Sequence, residues 1–417
     1  MKADKAIKRA EYLDKIILCI GASVPVGMVV GNIGFEAMIG LTGLLWLLRY
    51  FFVKSKPFSN IFLKPAVLAW AVWLCSIFLS LAINGPGAKG LWHDIVYFRF
   101  FLYACAMIDL SGRKSISDYL LCGLAGGVLF AAFNTIMAYE LGFDLFGRPW
   151  EQYTIKLRVA ARIAAMGAMA APIFIGRAIA DTPGKFKSRL LFFIIAGIAA
   201  LNTIQTGKRT AVIALFTGIF FALMYNRYKK MDWREKIFWP ALTVFIIWFA
   251  IKIGGGWHFG SLYDRITIWK ISMAMWMNNI VSGVGISSWP DTYSLFASSG
   301  EITPYKAPNG VTYAEYGARH AHNIFLMLLS ATGILGFLSF FCLFGSCIMA
   351  IIKTNSPWKT GLLTWPVVSL LLGLTSWSIY SSSYLALFSF FAVLMLTSED
   401  SSDSEIQRPQ DDHGISK

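Results

Sequence analysis

Apolar runs of about 20 residues recur along this chain, the length that crosses a bilayer at about 1.5 Å of helix rise per residue, and short polar connections separate them. They predict spans at 16–31, 33–52, 63–83, 91–109, 116–138, 159–180, 189–205, 210–225, 237–254, 322–352, 361–378 and 380–397. About twelve spans return the chain to its starting side. A lysine-bearing N-terminus leads into an apolar run from Ile16 to Phe52 with no compact small-residue cleavage site, so the first run reads as a retained span and not a signal peptide. The expected architecture is an all-α polytopic membrane protein, a single transmembrane helical domain over 1–397 interrupted by a long loop at 255–321. Ser398–Lys417, rich in Ser, Asp and Glu, is expected to be a disordered tail.

Composition agrees with this pattern. Hydrophobic residues make up 56%, charged ones 14%, and the mean hydropathy is +0.59, more apolar surface than one soluble core buries. Lys and Arg then orient the chain, because short loops rich in them stay in the cytoplasm. They crowd the N-terminal tail, the 49–64 loop, Arg113 and Lys114, the 177–189 turn, Lys353 and Lys359, and the C-terminal tail. Arg227, Lys229, Lys230, Arg234 and Lys236 share one short connection, whereas the much longer 255–321 loop holds only Arg265, Lys270, Lys306 and Arg319. Both termini are therefore expected in the cytoplasm and the long loop outside. The net charge of +14 is spread over loops where anionic headgroups meet it, so the expected contacts are membrane lipids and no nucleic acid. Cys19, Cys75, Cys105, Cys122, Cys342 and Cys347 all fall within predicted spans, which indicates neither a disulfide framework nor a CxxC metal pair.

Three outward elements stand out: the 139–158 loop, the corner Gln205–Thr210 and the 255–321 loop. A loop as long as the last is seldom without a function. Ser261–Met277 within it predicts an amphipathic helix with Ile268, Trp269, Met273 and Trp276 on its apolar side, Asp264 capping its start, and Arg265 and Trp269 on one face. The competing reading is an interfacial helix that only plugs the bundle. Gly283, Gly285 and Trp289-Pro290 read as turns. No internal repeat is evident, which disfavours a transporter built from two related halves.

Four of the five histidines, His93, His258, His320 and His322, map to the external side, and only His413 lies in the tail. His320-Ala321-His322-Asn323 stands where the long loop re-enters the membrane as a helix, a wet but anchored position that suits a general base. The positive end of the helix dipole and a nearby arginine favour the neutral, proton-accepting imidazole. Gly333 follows His322 by three helical turns, on the same face of the expected helix, where it permits close packing. Paired histidines at a helix start also serve simply as caps or water ligands. Arg158, Arg162, Arg209, Arg265 and Arg319 add to the case, since all fall on or just within the external side against the charge bias. A single arginine there is explained by snorkelling or a local ion pair; a group of them matches a phosphate ligand, and a lipid diphosphate at the membrane surface is the natural one. The chain has no GxxxxGK[ST] loop, GxSxG elbow, HExxH helix or external DxD pair.

These residues resemble the bacterial O-antigen ligases, within a group that also includes O-antigen polymerases and protein O-oligosaccharyltransferases. The resemblance rests on Thr206-Gly207-Lys208-Arg209-Thr210-Ala211, on Arg265-Ile-Thr-Ile-Trp269 followed by Gly283-Val-Gly285, and most specifically on His320-Ala-His322 with Gly333 and Gly336 downstream. Lys208 stands where the group often has serine. The resemblance implies an inverting glycosyltransferase without metal or cofactor. It would move a glycan from undecaprenyl diphosphate to lipid A-core oligosaccharide on the periplasmic face of the inner membrane. It implies His322 as the base and Arg265 with Arg209 as the diphosphate holders. Lys208, Arg158, Arg162 and Arg319 follow as further donor contacts, and His320 as the residue that orients His322 or the acceptor. A polymerase of the same group, or a polysaccharide flippase from a different class, are the competing readings.

Overall fold

The structure is a computed structural model that describes residues 2–53, 64–87, 90–111, 116–150, 158–180, 186–228, 231–235, 237–238, 259–300, 302–306, 312–313, 317–375 and 378–398. The helices run in chain order as α1 (Lys2–Ala22), α2 (Val24–Val30), α3 (Asn32–Val53), α4 (Pro65–Asn84), α5 (Leu91–Ile95), α6 (Phe98–Ser111), α7 (Ile116–Leu141) and α8 (Arg158–Ile179). They continue as α9 (Phe186–Gln205), α10 (Arg209–Tyr228), α11 (Phe259–Asn278), α12 (Trp289–Ser298), α13 (Ile324–Lys353), α14 (Lys359–Leu362), α15 (Thr364–Thr375) and α16 (Ser382–Thr397). Between α12 and α13, β1 (Tyr305–Lys306) and β2 (Thr312–Tyr313) form a small antiparallel pair.

Among the described residues, 6 helices are long and apolar enough to cross a membrane, or 7 with α1 and α2 taken as one bent span. This fold is an almost wholly helical, multi-pass one. The twelve spans of the hydropathy pattern also include α10, α14–α15 and α16, whose apolar stretches are shorter, and 237–254, most of which lies outside the described residues. So do the tail from 399 onward and, in the basic 226–236 connection, Lys229, Lys230 and Lys236.

The bend of 47° between α1 and α2 has a local cause. Pro25 occupies the first turn of α2, where a missing N–H is harmless to a new helix but breaks the hydrogen-bond ladder of the old one. The far end of α2 is held by the 142–150 turn. Arg148 donates to the carbonyls of Val29 (2.9 Å) and Val30 (3.0 Å), while buried Asp144 accepts from the Arg148 side chain and from the backbone N–H groups of Phe146 and Arg148. A cation on the last carbonyls of a helix satisfies acceptors that have no partner of their own.

α8 is the central helix, its sequence dominated by Ala and Gly. Small side chains let neighbouring backbones approach, as membrane bundles require. A Cβ on Gly167 would meet the Ala199 carbonyl of α9 at 2.4 Å, and one on Gly176 would meet the Gly361 nitrogen of α14 at 2.3 Å. At the end of the bundle away from Arg162, Arg49 of α3 is fully buried and ion-paired with Asp14 of α1 and Asp109 of α6, and Trp46 donates to Asp109 at 2.9 Å. Hydropathy counts Arg49 among loop charges; inside the bundle it ties three helices together.

Candidate functional site

The site grows from the start of α13. Asn323 caps that helix, accepting from the backbone nitrogens of Phe325 (3.0 Å) and Leu326 (3.2 Å) with its own backbone extended. His322 therefore lies just outside the helix, with φ of 49°, the only positive φ off glycine among the described residues. A side chain is held in that sparsely populated region only when its surroundings demand it. Asn323→Ala is expected to cost about 1 kcal/mol of stability, the usual worth of such a cap. It should also loosen the His322 loop, so any activity that depends on His322 should fall further than the small drop in melting temperature explains.

The rings of His320 and His322 lie 3.9 Å apart between centroids, and the His322 backbone N–H donates to Nδ1 of His320 at 3.3 Å. That bond assigns the proton of a neutral His320 to Nε2. Nδ1 of His322 is buried with no hydrogen-bond partner. Burial chiefly, then the His320 ring and the Arg265 guanidinium, lower His322 from 6.5 to about 3, so the imidazole is neutral at physiological pH with a lone pair to offer.

Arg265 acts on His322 because α11 is tied to the histidine loop. The indole of Trp269, one turn after Arg265, donates to the Ala321 carbonyl between the two histidines at 3.1 Å. This is what the spacing of four accomplishes: the aromatic residue anchors the loop and the arginine one turn away faces the same place. α11 starts at Phe259, so Asp264 lies inside the helix and does not cap it as the sequence pattern suggests; burial raises the pKa of its carboxyl.

α13 is not the continuous helix on which the same-face placement of Gly333 rested. Gly333 has φ 66° and ψ −167°, and the helix kinks there. The backbone groups released at the break pair with the 280–285 turn: Val284 N–H to Ser330 O at 2.8 Å, Gly285 N–H to Ala331 O at 2.9 Å, and Ile334 N–H to Ile280 O at 2.9 Å. Close packing does occur at Gly333, but against that turn. The same turn is stitched to the end of α4 and the loop after it, since Asn84 donates to the Gly283 carbonyl (3.0 Å) and the Gly87 N–H to Ser287 Oγ (3.2 Å). Trp289 adds a bond to Ser330 Oγ at 2.8 Å.

A cavity of about 530 Å³ opens beside the histidine pair, lined among others by Asn32, His93, Arg162, Arg319, His320 and Tyr380. Arg162 is buried and donates to Asn32 Oδ1 at 2.8 Å. Tyr380 joins the cavity to α13 through Thr332 Oγ1 at 2.8 Å, and the Ser381–Ser383 hydroxyl run completes the wall. The structure thus brings His320, Arg162 and Arg319 to the cavity wall, and places His322 beside His320 and within electrostatic reach of Arg265, neither of the two lining the cavity. Lys208 and Arg209 stand apart at the corner between α9 and α10, outside the residues lining this cavity. Gly207 turns that corner with φ of 64°, and burial lowers the pKa of Lys208. Arg158 opens α8, and its side chain lies outside the described residues. Arg99 pairs with Glu36 at 3.2 Å. Asn32, Tyr380 and the serine run escaped the sequence reading; the polar stretch Ser378–Ser383 between two apolar runs is the signal that marks it. Among the described residues no three His, Cys, Asp or Glu side chains gather as a metal site.

The bundle thus gathers Arg162, Arg319, His93 and His320 around one cavity, with His322 next to His320. A family model described as O-antigen ligase matches residues 191–341, which include all three motifs. Over that stretch the chain is similar to the O-antigen ligase family. A search of curated proteins finds no match to the chain.

Proposed function

We propose that the chain is an O-antigen ligase of the bacterial inner membrane, with both termini in the cytoplasm and its site facing the periplasm. It transfers O-antigen polysaccharide from undecaprenyl diphosphate to lipid A-core oligosaccharide. The observation that carries this reading is His322, neutral and half-buried with a buried, unpartnered Nδ1, near Arg265 and next to a residue of an arginine-lined cavity. His322 takes the proton of the acceptor hydroxyl as its oxygen attacks the anomeric carbon. The bond from that carbon to the diphosphate breaks on the opposite face, and the diphosphate leaves with the electron pair, so configuration inverts. Arg265 meets the charge that grows on the leaving group. Arg162, Arg319 and His320 hold substrate in the cavity, and Arg209, Lys208 and Arg158 receive the remainder of the donor. No metal or cofactor takes part.

A base held near 3 in the free protein is weak. A bound diphosphate offsets the Arg265 charge and strengthens it.

The test is purified protein in liposomes with a defined lipid-linked donor and lipid A-core as the only acceptor, in excess chelator. Glycan on lipid A-core with release of undecaprenyl diphosphate is the expected result. Elongated lipid-linked glycan instead would make the protein a polymerase, translocation without donor consumption a flippase, and activity restored only by divalent ions would overturn metal independence. Because His322 in the free protein stays neutral down to about 3, kcat/KM should show no limb of this histidine as pH falls from about 7 to about 5. A limb centred on an ordinary histidine value, and moved by Arg265→Gln, would contradict the assignment.

A further inference from the structure

His93, on the short helix α5, lines the same cavity as Arg319 and His320. Its Nδ1 lies 3.2 Å from Oδ1 of Asp94. Asp94 is only 1% exposed, and its other oxygen accepts from Ser287 Oγ at 2.6 Å. Ser287 in turn accepts from the Gly87 N–H, so a buried chain of hydrogen bonds runs from the 280–289 turn to the imidazole. A carboxylate only accepts, which places a proton on Nδ1 and leaves Nε2 as the nitrogen offered to the cavity. Tyr97 packs edge-on to the ring at 5.7 Å and fixes its plane. A ring oriented by a buried carboxylate is the arrangement in which an imidazole is held for work on a ligand. The described cavity wall supplies arginines, histidines and hydroxyls but no carboxylate, so the ligand chemistry it fits is an anion with several oxygens.

We infer that His93, held by Asp94 and Ser287, is a donor-site residue that gives its Nε2–H to an oxygen of the diphosphate. This rests on the reading of the cavity as the donor site. While the anion is bound, both ring nitrogens carry protons and Asp94 is the counter-charge. His93 thereby shares the leaving group with the arginines without taking part in bond making. Asp94 is a positioning residue, acting only through the ring.

The experiment compares His93→Ala, His93→Gln and Asp94→Asn with the wild type in nanodiscs, measuring transfer kinetics and equilibrium binding of undecaprenyl diphosphate and of inorganic pyrophosphate. His93→Ala should raise the donor KM and weaken undecaprenyl diphosphate binding by roughly tenfold or more, the worth of a charge-assisted hydrogen bond, with acceptor KM unchanged. His93→Gln keeps an N–H at about the same reach and should recover part of the loss. Asp94→Asn should give a loss of the same kind, in donor KM. Weakened binding of both probes supports a diphosphate contact, and weakening of the lipid probe alone places the effect on the prenyl chain and overturns it. Unchanged donor KM in His93→Ala overturns the inference while leaving the ligase reading intact. Absence of any transfer by the wild type would overturn the ligase reading, and unchanged probe binding in His93→Ala would then overturn the inference independently.

Discussion

Replacement of His322 by Asn should leave a folded protein that binds donor normally and transfers glycan about 10²–10⁴-fold more slowly, the usual share of a general base. Asn is the informative substitution because it tolerates the left-handed backbone that His322 adopts at φ 49°, whereas Ala would add strain to lost chemistry. An amide in that position accepts a hydrogen bond but takes no proton. The location argues for a large effect: the loop is pinned by the Asn323 cap, by Trp269 on the Ala321 carbonyl and by the His320 ring, so the imidazole is held in place before substrate arrives. Such preorganisation is what makes a base effective and what its loss removes. The check is kcat and donor KM in the liposome assay, with donor binding measured separately. Wild-type kcat in His322→Asn would remove the residue as the base.

Gly333→Ala should fail at an earlier step, by losing the folded bundle. The backbone there, φ 66° and ψ −167°, lies in a region that is essentially confined to glycine, and a side chain in such a place costs of order 1–3 kcal/mol before any contact is counted. Contacts make it worse, since an added Cβ would sit 2.1 Å from the Val281 carbonyl oxygen and 2.7 Å from the Ser282 nitrogen, both backbone atoms. Gly283 faces the break from the other side, where a Cβ would meet the Ala331 carbonyl carbon at 2.4 Å. Relief means separating two backbones whose hydrogen bonds replace those lost at the kink, and unpaired backbone groups in a bundle core cost more still. Either substitution is expected to abolish monodisperse protein in detergent or to lower its melting temperature steeply. Gly345→Ala, in the same helix with no atom within 4 Å of the added methyl, should be neutral or slightly stabilising. Equal behaviour of the Gly333 and Gly345 variants would mean that the break bears no strain.

The linear chain made much of this legible. Helix period and apolar length located α4, α7, α8, α9 and α13 to within a few residues, because a bilayer-length apolar run has few alternatives to a helix. The histidine pair and Arg265-x-x-x-Trp269 were also visible, since each lies within a few residues and local spacing dictates which side chains share a face. Asp264 shows the limit of the same reasoning: its type and position fit a cap, yet the helix begins at Phe259. Gly333 shows another, because nothing in an apolar run with one glycine says whether that glycine is a packing surface or a break.

The residue types available to the chemistry, and the membrane helices that carry them, followed from local pattern alone. Their meeting did not. Arg162 reaches Asn32 across 130 positions, Arg319 shares its cavity with His93 from far along the chain, and the turn at 280–289 joins the α13 break to the segment after α4 and to Asp94 on α5. Such contacts are selected by which helices pack together, a choice made by small residues along their faces and by backbone groups seeking partners after a kink. Neither leaves a periodic mark in the sequence, and only the folded bundle decides them.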